Sequence, residues 1–235
     1  MKPLVLIILL TMVVPSSFHL KSVSATLGRD FQRTNTDASI LKLLEALKSR
    51  DENTWEEAAD ALTKLGSASV PPLEHFLQKE RQELYQFRAV LVLTEVAPDH
   101  PAIIPTLLKI AKGRRIFDSE KISMMRRSAG MSLAGTPAGI QSLVPMLKDK
   151  DAFVRRSAAF AFDDPTEVLG ALPQKRQAAI NDALPALVAA IDDKDEVVSR
   201  VCCEVVNQII RSKIEPLTSN ALRLVRKRGK PINEC

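Results

Sequence analysis

One apolar pattern returns along this chain at a period that dictates how its helices must be buried. Ile40, Leu43, Leu44 and Leu47 stand at positions i, i+3, i+4 and i+7. The quartet recurs as Ile104, Leu107, Leu108, Ala111, as Ile140, Leu143, Val144, Leu147, and as Leu184, Leu187, Val188, Ile191. Partial copies are Val70, Leu73, Leu77, with Glu74 in the third place, and Leu217, Ala221, Leu224. Successive copies begin 30 to 44 residues apart. Each quartet puts one apolar stripe on a helix. A helix repeated at such a period buries its stripe by stacking on its neighbours.

A second helix is predicted after each of the first five stripes. Residues 143–162 align with 187–206, and the intervening turns are Asp149-Lys150-Asp151 and Asp193-Lys194-Asp195. Aspartates there accept hydrogen bonds from the free N–H groups that open the second helix and favour its positive end. Val154, Ala158 and Ala161 then form an inner face, matched by Val198, Cys202 and Val205. In the first repeat Trp55, Ala58, Ala59 and Leu62 take that part, Thr54 and Glu57 have capping-box spacing, and Gly66 closes the helix in a left-handed conformation. Composition agrees with helices packed through aliphatic side chains: 46% hydrophobic but only 4% aromatic, with 8 glycines among 235 residues.

Pro-x-Leu or Leu-x-x-Leu first helices, an Asp-rich turn and a Val-Arg-x-x-Ala-Ala second helix resemble the HEAT-repeat family. Val154-Arg155-Arg156-Ser157-Ala158-Ala159 carries the resemblance best, and it extends over roughly 38–228. Trp55-Glu56 departs from the family's Val-Arg, and Ser199-Arg200 stands in place of Arg155-Arg156. The resemblance implies an all-α fold, a right-handed α-solenoid of about five hairpins plus a capping helix. The approximate repeats are 38–68, 69–100, 101–138, 139–180, 182–213 and a cap over 214–228. Two stretches break the rhythm: a longer loop over 113–120, and an insertion over 163–181 opening at Asp164-Pro165 and carrying one or two short helices.

The ends carry an address and a tail. Lys2, the apolar run Leu4 to Val14 and the small residues Val23 and Ala25 describe a secretory signal peptide over 1–25, cut after Ala25. The run is about half the roughly 20 residues that span a bilayer, so an uncleaved anchor is the lesser reading. Residues 26–37 are a polar lead-in. Without residues 1–25 the formal charge falls from +5 to +3, a mild excess that disfavours nucleic acid as the partner. The basic tail around Arg223, Arg226, Lys227, Arg228 and Lys230 is the polar face of a cap, with membrane contact as a secondary reading. Residues 229–235 follow it. Adjacent Cys202 and Cys203 are expected as small core fillers, and Cys235 as a free thiol or a link to another chain.

No catalytic constellation is apparent. His19 leaves with the signal, His75 and His100 have no partner pattern, and the nucleophile-elbow, zincin and phosphate-loop motifs are missing. No cofactor or metal is expected, since Cys202-Cys203 lacks ligand spacing. HEAT-like lyases and DNA glycosylases are the enzymatic alternatives that the resemblance allows. The export signal conflicts with the first, and the weak basicity with the second. A membrane-associated accessory subunit is a third. The leading expectation is a secreted or periplasmic, non-catalytic scaffold that binds a protein. Its candidate partner-binding residues are Arg88, Arg126, Arg127, Arg155, Arg156 and Arg200, with Arg114-Arg115 in the loop; stacked second helices would align them as a basic strip. The competing expectation is a structural ladder, each arginine pairing with turn aspartates of its own or the next repeat.

Overall fold

In the computed structural model of the chain, residues 38–113, 120–163 and 173–229 are described. The signal peptide, the lead-in, Arg114, Arg115, the start of the insertion, Lys230 and Cys235 lie outside them. Among the described residues there are eleven α-helices and no strand. Helix α1 covers 38–46. It is followed by α2 (Glu52–Lys64), α3 (Val70–Lys79), α4 (Glu83–Val96), α5 (Ile103–Lys112) and α6 (Glu120–Ala134). The chain continues through α7 (Pro137–Leu143), α8 (Ala152–Phe162), α9 (Gln174–Ala190), α10 (Glu196–Ser212) and α11 (Leu217–Arg228). No helix of the described residues is long and apolar enough to cross a membrane.

Within the unit formed by 40–235, the helices alternate between two layers. Second helices pack in order, α2 on α4, α4 on α6, α6 on α8 and α8 on α10. First helices do the same, α5 on α7, α7 on α9 and α9 on α11. The chain is an α-solenoid of helical hairpins. One core runs through it, from Ile40, Leu44 and Leu47 to Leu217, Ala221 and Val225. The quartets supply most of its first-helix side, as expected. In α5 the stripe is rotated: Ile103, Leu107, Ile110 and Ala111 are buried, while Ile104 and Leu108 are only partly so.

Capping follows the sequence reading with one correction. Asp151 accepts from the Phe153 N–H at 3.0 Å and Asp195 from the Val198 N–H at 3.2 Å. Asp149 and Asp193 hold the turns by accepting from the amides of Asp151 and Asp195. Gly66 closes the first hairpin's second helix at φ +56°. Thr54, however, is not a cap. Asp51 caps α2, accepting from both the Thr54 amide (2.9 Å) and its hydroxyl (2.6 Å). The carboxylate lies three residues upstream of the expected box and is the stronger acceptor.

The region expected as an insertion also differs. Residues 174–181 form the opening turns of α9, which runs on through Pro185. Arg176 Nε donates to the Ala134 carbonyl at 2.8 Å, fixing this extension to the end of α6. Close approach between α6 and α7 depends on Gly139, where any Cβ would overlap the Leu133 carbonyl oxygen. Backbone cannot yield there as a flexible side chain can. Gly139→Ala should therefore lower the unfolding free energy by about 1–3 kcal/mol, read from urea denaturation followed by circular dichroism.

Candidate interaction surface on the second helices

Each second helix carries a small buried residue near its middle: Ala58, Ala89, Ala129, Ala158 and Cys202. Three positions earlier stand Trp55, Gln86, Arg126, Arg155 and Ser199. Four of these five side chains act alike. Each donates to carbonyls where the first half of its own hairpin ends, Gln86, Arg126 and Ser199 at the C-terminal end of the first helix and Arg155 in the turn beyond it. Gln86 Nε2 donates to Leu77 O (3.2 Å) and Glu80 O (2.8 Å). Arg126 Nη1 donates to Ile110 O at 2.9 Å. Arg155 Nη1 donates to Asp149 O (2.8 Å) and Lys150 O (3.2 Å), and Ser199 Oγ to Ile191 O (2.6 Å).

Trp55 occupies the first slot but makes no such bond, and its buried Nε1 has no hydrogen-bond partner. Arg88 of the next second helix reaches across instead, donating from Nη1 to Leu47 O (2.6 Å) and Ser49 O (2.8 Å). Its guanidinium lies 4.5 Å from the Trp55 ring centre and 5.9 Å from that of Tyr85. Burial pulls the Arg88 pKa below the usual arginine value, with Tyr85 and Glu52 opposing.

Several of these groups also tie one repeat to another. Arg155 grips Asp193 of the following turn through two bonds of 2.8 and 2.9 Å. Arg156 holds Asp195 in the same way, at 2.9 and 2.7 Å. Arg126 Nη2 lies 3.0 Å from Glu83 Oε2, and Lys109 Nζ donates to Gln86 Oε1 at 2.9 Å. Burial pushes the Asp193 carboxyl up, but the Arg155 bonds and the Asp195 amide outweigh it and leave its pKa below the usual value. Asp195 is lowered chiefly by Arg156, against a smaller effect of burial.

The six candidate arginines therefore divide. Arg88, Arg126 and Arg155 are buried, and their guanidinium groups serve the repeat stack. Arg127, Arg156 and Arg200 occupy the next position, about 100° around the helix from the slot, and are exposed. Arg127 lies 5.1 Å from the centre of the Phe160 ring, and Arg200 pairs with Glu204 of its own helix at 3.2 Å. Arg88 is out of register with the others, because Gln86 holds the equivalent slot in α4.

Residues two before, one after and five after each slot lie three and four apart and share one helix face, at the margin of the core, against which Leu84, Phe87 and Phe160 still pack. In α4 they are Leu84, Phe87 and Leu91; in α6, Met124, Arg127 and Met131; in α8, Phe153, Arg156 and Phe160. All are half-buried or exposed, and Met124 is 57% exposed. The flanking helices are more polar at these positions, with Asn53, Glu56 and Asp60 on α2 and Val197, Arg200 and Glu204 on α10. Three adjacent helices thus present an apolar surface with guanidinium groups set in it. Sequence reading found the arginines but missed the apolar companions, whose signal is their fixed offset from the small buried residue.

Elsewhere, a cleft of about 280 Å³ between α1 and α3 is lined by Leu41, Leu44, Phe76, His75, Lys48 and Glu80, among others. Lys48 there pairs with Glu45 at 2.7 Å and approaches Glu80 at 3.7 Å. His100 Nδ1 accepts from the Ala102 amide at 3.3 Å. Among the described residues no group of three or more His, Cys, Asp or Glu side chains is placed to hold a metal ion. Cys202 fills core, and burial, helped by Asp193, pushes its thiol up to about 12. Cys203 is equally buried but is disulfide-bonded, which corrects its reading as a simple core filler.

No family model and no curated protein matches this chain. Among solved structures it is similar to a designed armadillo repeat protein in complex with the peptide (KR)4, at 18% identity and a TM-score of 0.37, covering 79% of this chain and 97% of that one. It is also similar to the YibA protein of E. coli, at 15% identity and a TM-score of 0.38, covering 91% and 83% of the two chains. The fold described above rests on this chain's own helix packing.

Replacing Arg155 by Ala should lower the unfolding free energy by about 2–3 kcal/mol, since it strands the turn carbonyls of Asp149 and Lys150 and the Asp193 carboxylate. Arg200→Ala should change it by less than about 0.5 kcal/mol. Urea titrations of the two variants check both. Asp193 and Asp195 have lowered pKa values in the folded state. Their contribution is present above the ordinary aspartate range and is lost as pH falls below about 4. The wild type should accordingly lose stability there more steeply than Asp195→Asn, measured by thermal melts between pH 7 and 2.5.

Proposed function

We propose that this protein is an exported HEAT-like scaffold without catalytic activity, which binds another protein through the outer face of α4, α6 and α8. The observation that carries this reading is the stripe of partly exposed apolar side chains and arginines repeated on three neighbouring helices. Arginine, methionine and phenylalanine are the residue types enriched where proteins meet. Here they recur at equivalent positions while α2 and α10 carry acidic groups there. The face spans consecutive repeats, so its geometry is set by the stack and not by loops.

Export is supported by the arrangement of residues 1–25 and by the disulfide at Cys203, a bond characteristic of oxidising compartments. The intact mass of the protein recovered outside the cytoplasm should equal that of residues 26–235, and retention of residues 1–25 would contradict cleavage. Immobilised mature protein should retain a partner from the exported fraction. A Met124→Glu, Met131→Glu double variant, folded by circular dichroism, should lose that capture at least about ten-fold, as desolvated carboxylates in an interface require. Undiminished capture by this variant would remove the assigned face.

A further inference from the structure

The chemistry of the partner is legible in the one guanidinium of this face that has no counter-charge among the described residues. Arg156 is clasped by Asp195 and Arg200 by Glu204. Among the described residues no carboxylate pairs with Arg127; the Phe160 ring lies 5.1 Å from it. A guanidinium held beside an aromatic ring rather than a carboxylate can still offer its N–H groups to the fork of an incoming carboxylate. Arg127 has the half-exposed Met131 and the exposed Met124 on its own helix, with Phe87 and Leu91 on one neighbouring helix and Phe153 and Phe160 on the other. A carboxylate bound there would be partly desolvated by the apolar groups around it, which strengthens the pair.

Building on the second-helix face as the docking surface, we propose that its partner is an extended protein segment carrying one carboxylate between apolar side chains, with the carboxylate on Arg127. Packed helices lie roughly 8–10 Å apart, and a chain extended in the polyproline II conformation advances about 3.1 Å per residue with three residues per turn, which turns every third side chain to the same face. A segment crossing α4, α6 and α8 thus sets about one side chain in three on each helix. The pattern that fits is apolar, two spacers, acidic, two spacers, apolar. The first apolar side chain meets Phe87 and Leu91, and the last meets Phe153 and Phe160. The acidic stripe of α2, with Glu56 and Asp60, repels an acidic segment that overruns the face at that end.

The test uses two fluorescein-labelled peptides with leucine at the first and seventh positions of a serine–glycine chain and either aspartate or lysine at the fourth. Anisotropy titrations against the mature protein should show the aspartate peptide binding roughly five-fold or more tightly. Arg127→Gln should bring the ratio to about one, while Arg200→Gln leaves it in place. Equal binding of both peptides, binding of neither, or a ratio that survives Arg127→Gln would overturn the proposal. Sedimentation of the protein alone supplies a further arm: a dimer dispersed by Met124→Glu would make a second copy the occupant and overturn it. If partner capture depends on Met124 and Met131 while the peptides are not told apart by charge, this assignment alone falls and the docking face remains.

Discussion

The stack depends on a recurring polar contact: a side chain from a second helix satisfying carbonyls where a first helix ends and the chain turns back. Leaving those carbonyls buried without a donor would cost about 1–3 kcal/mol each. Gln86, Arg126, Arg155 and Ser199 answer the same need with different chemistry. The first hairpin shows the constraint most clearly. Its slot holds Trp55, which supplies no donor, and Arg88 of the neighbouring second helix provides one instead. That reach binds the first two repeats together, with the indole as the surface on which the guanidinium rests.

Once the slot is fixed, helical periodicity assigns the rest of each second helix. The slot residue and the small residue three positions on face inward. Positions offset by minus two, plus one and plus five lie at the margin of the core. Two consecutive arginines therefore cannot play the same part. Arg126 and Arg155 go into the stack, Arg127 and Arg156 onto its surface. The longer side chains at the slot do more than cap. Arg155 continues to Asp193 and Arg126 to Glu83, so the group that completes one hairpin also positions another. The structural ladder and the candidate surface are consequently made from neighbouring residues of the same motif.

Much of this is legible in the sequence. The apolar quartets locate the first helices, and the paired aspartates locate the starts of α8 and α10. The rest comes from contacts distant in sequence. Gln86 and Ser199 do not look like arginines, so a search for basic pairs passes over them and puts Arg88 in their place. Thr54 is not the cap because the helix starts a turn earlier, at Glu52, where Asp51 accepts from the Thr54 amide and hydroxyl. The opening of α9 reads as insertion because it precedes the apolar quartet that begins at Leu184, whereas the helix starts at Gln174 and passes through Pro185. The helical position of Cys203 gives its burial but not its disulfide.

Adjacent arginines are divided between the interior of the stack and a presented face, and chemical footprinting tests that division most directly. The folded protein would be treated briefly with phenylglyoxal, quenched, digested and analysed by mass spectrometry, with a urea-unfolded sample as reference. Arg127 and Arg200 should be modified in the folded state at rates near those of the unfolded chain. Arg88, Arg126 and Arg155 should be slowed by at least about ten-fold, in keeping with their burial. Comparable modification of Arg126 and Arg127 in the folded protein would contradict the division.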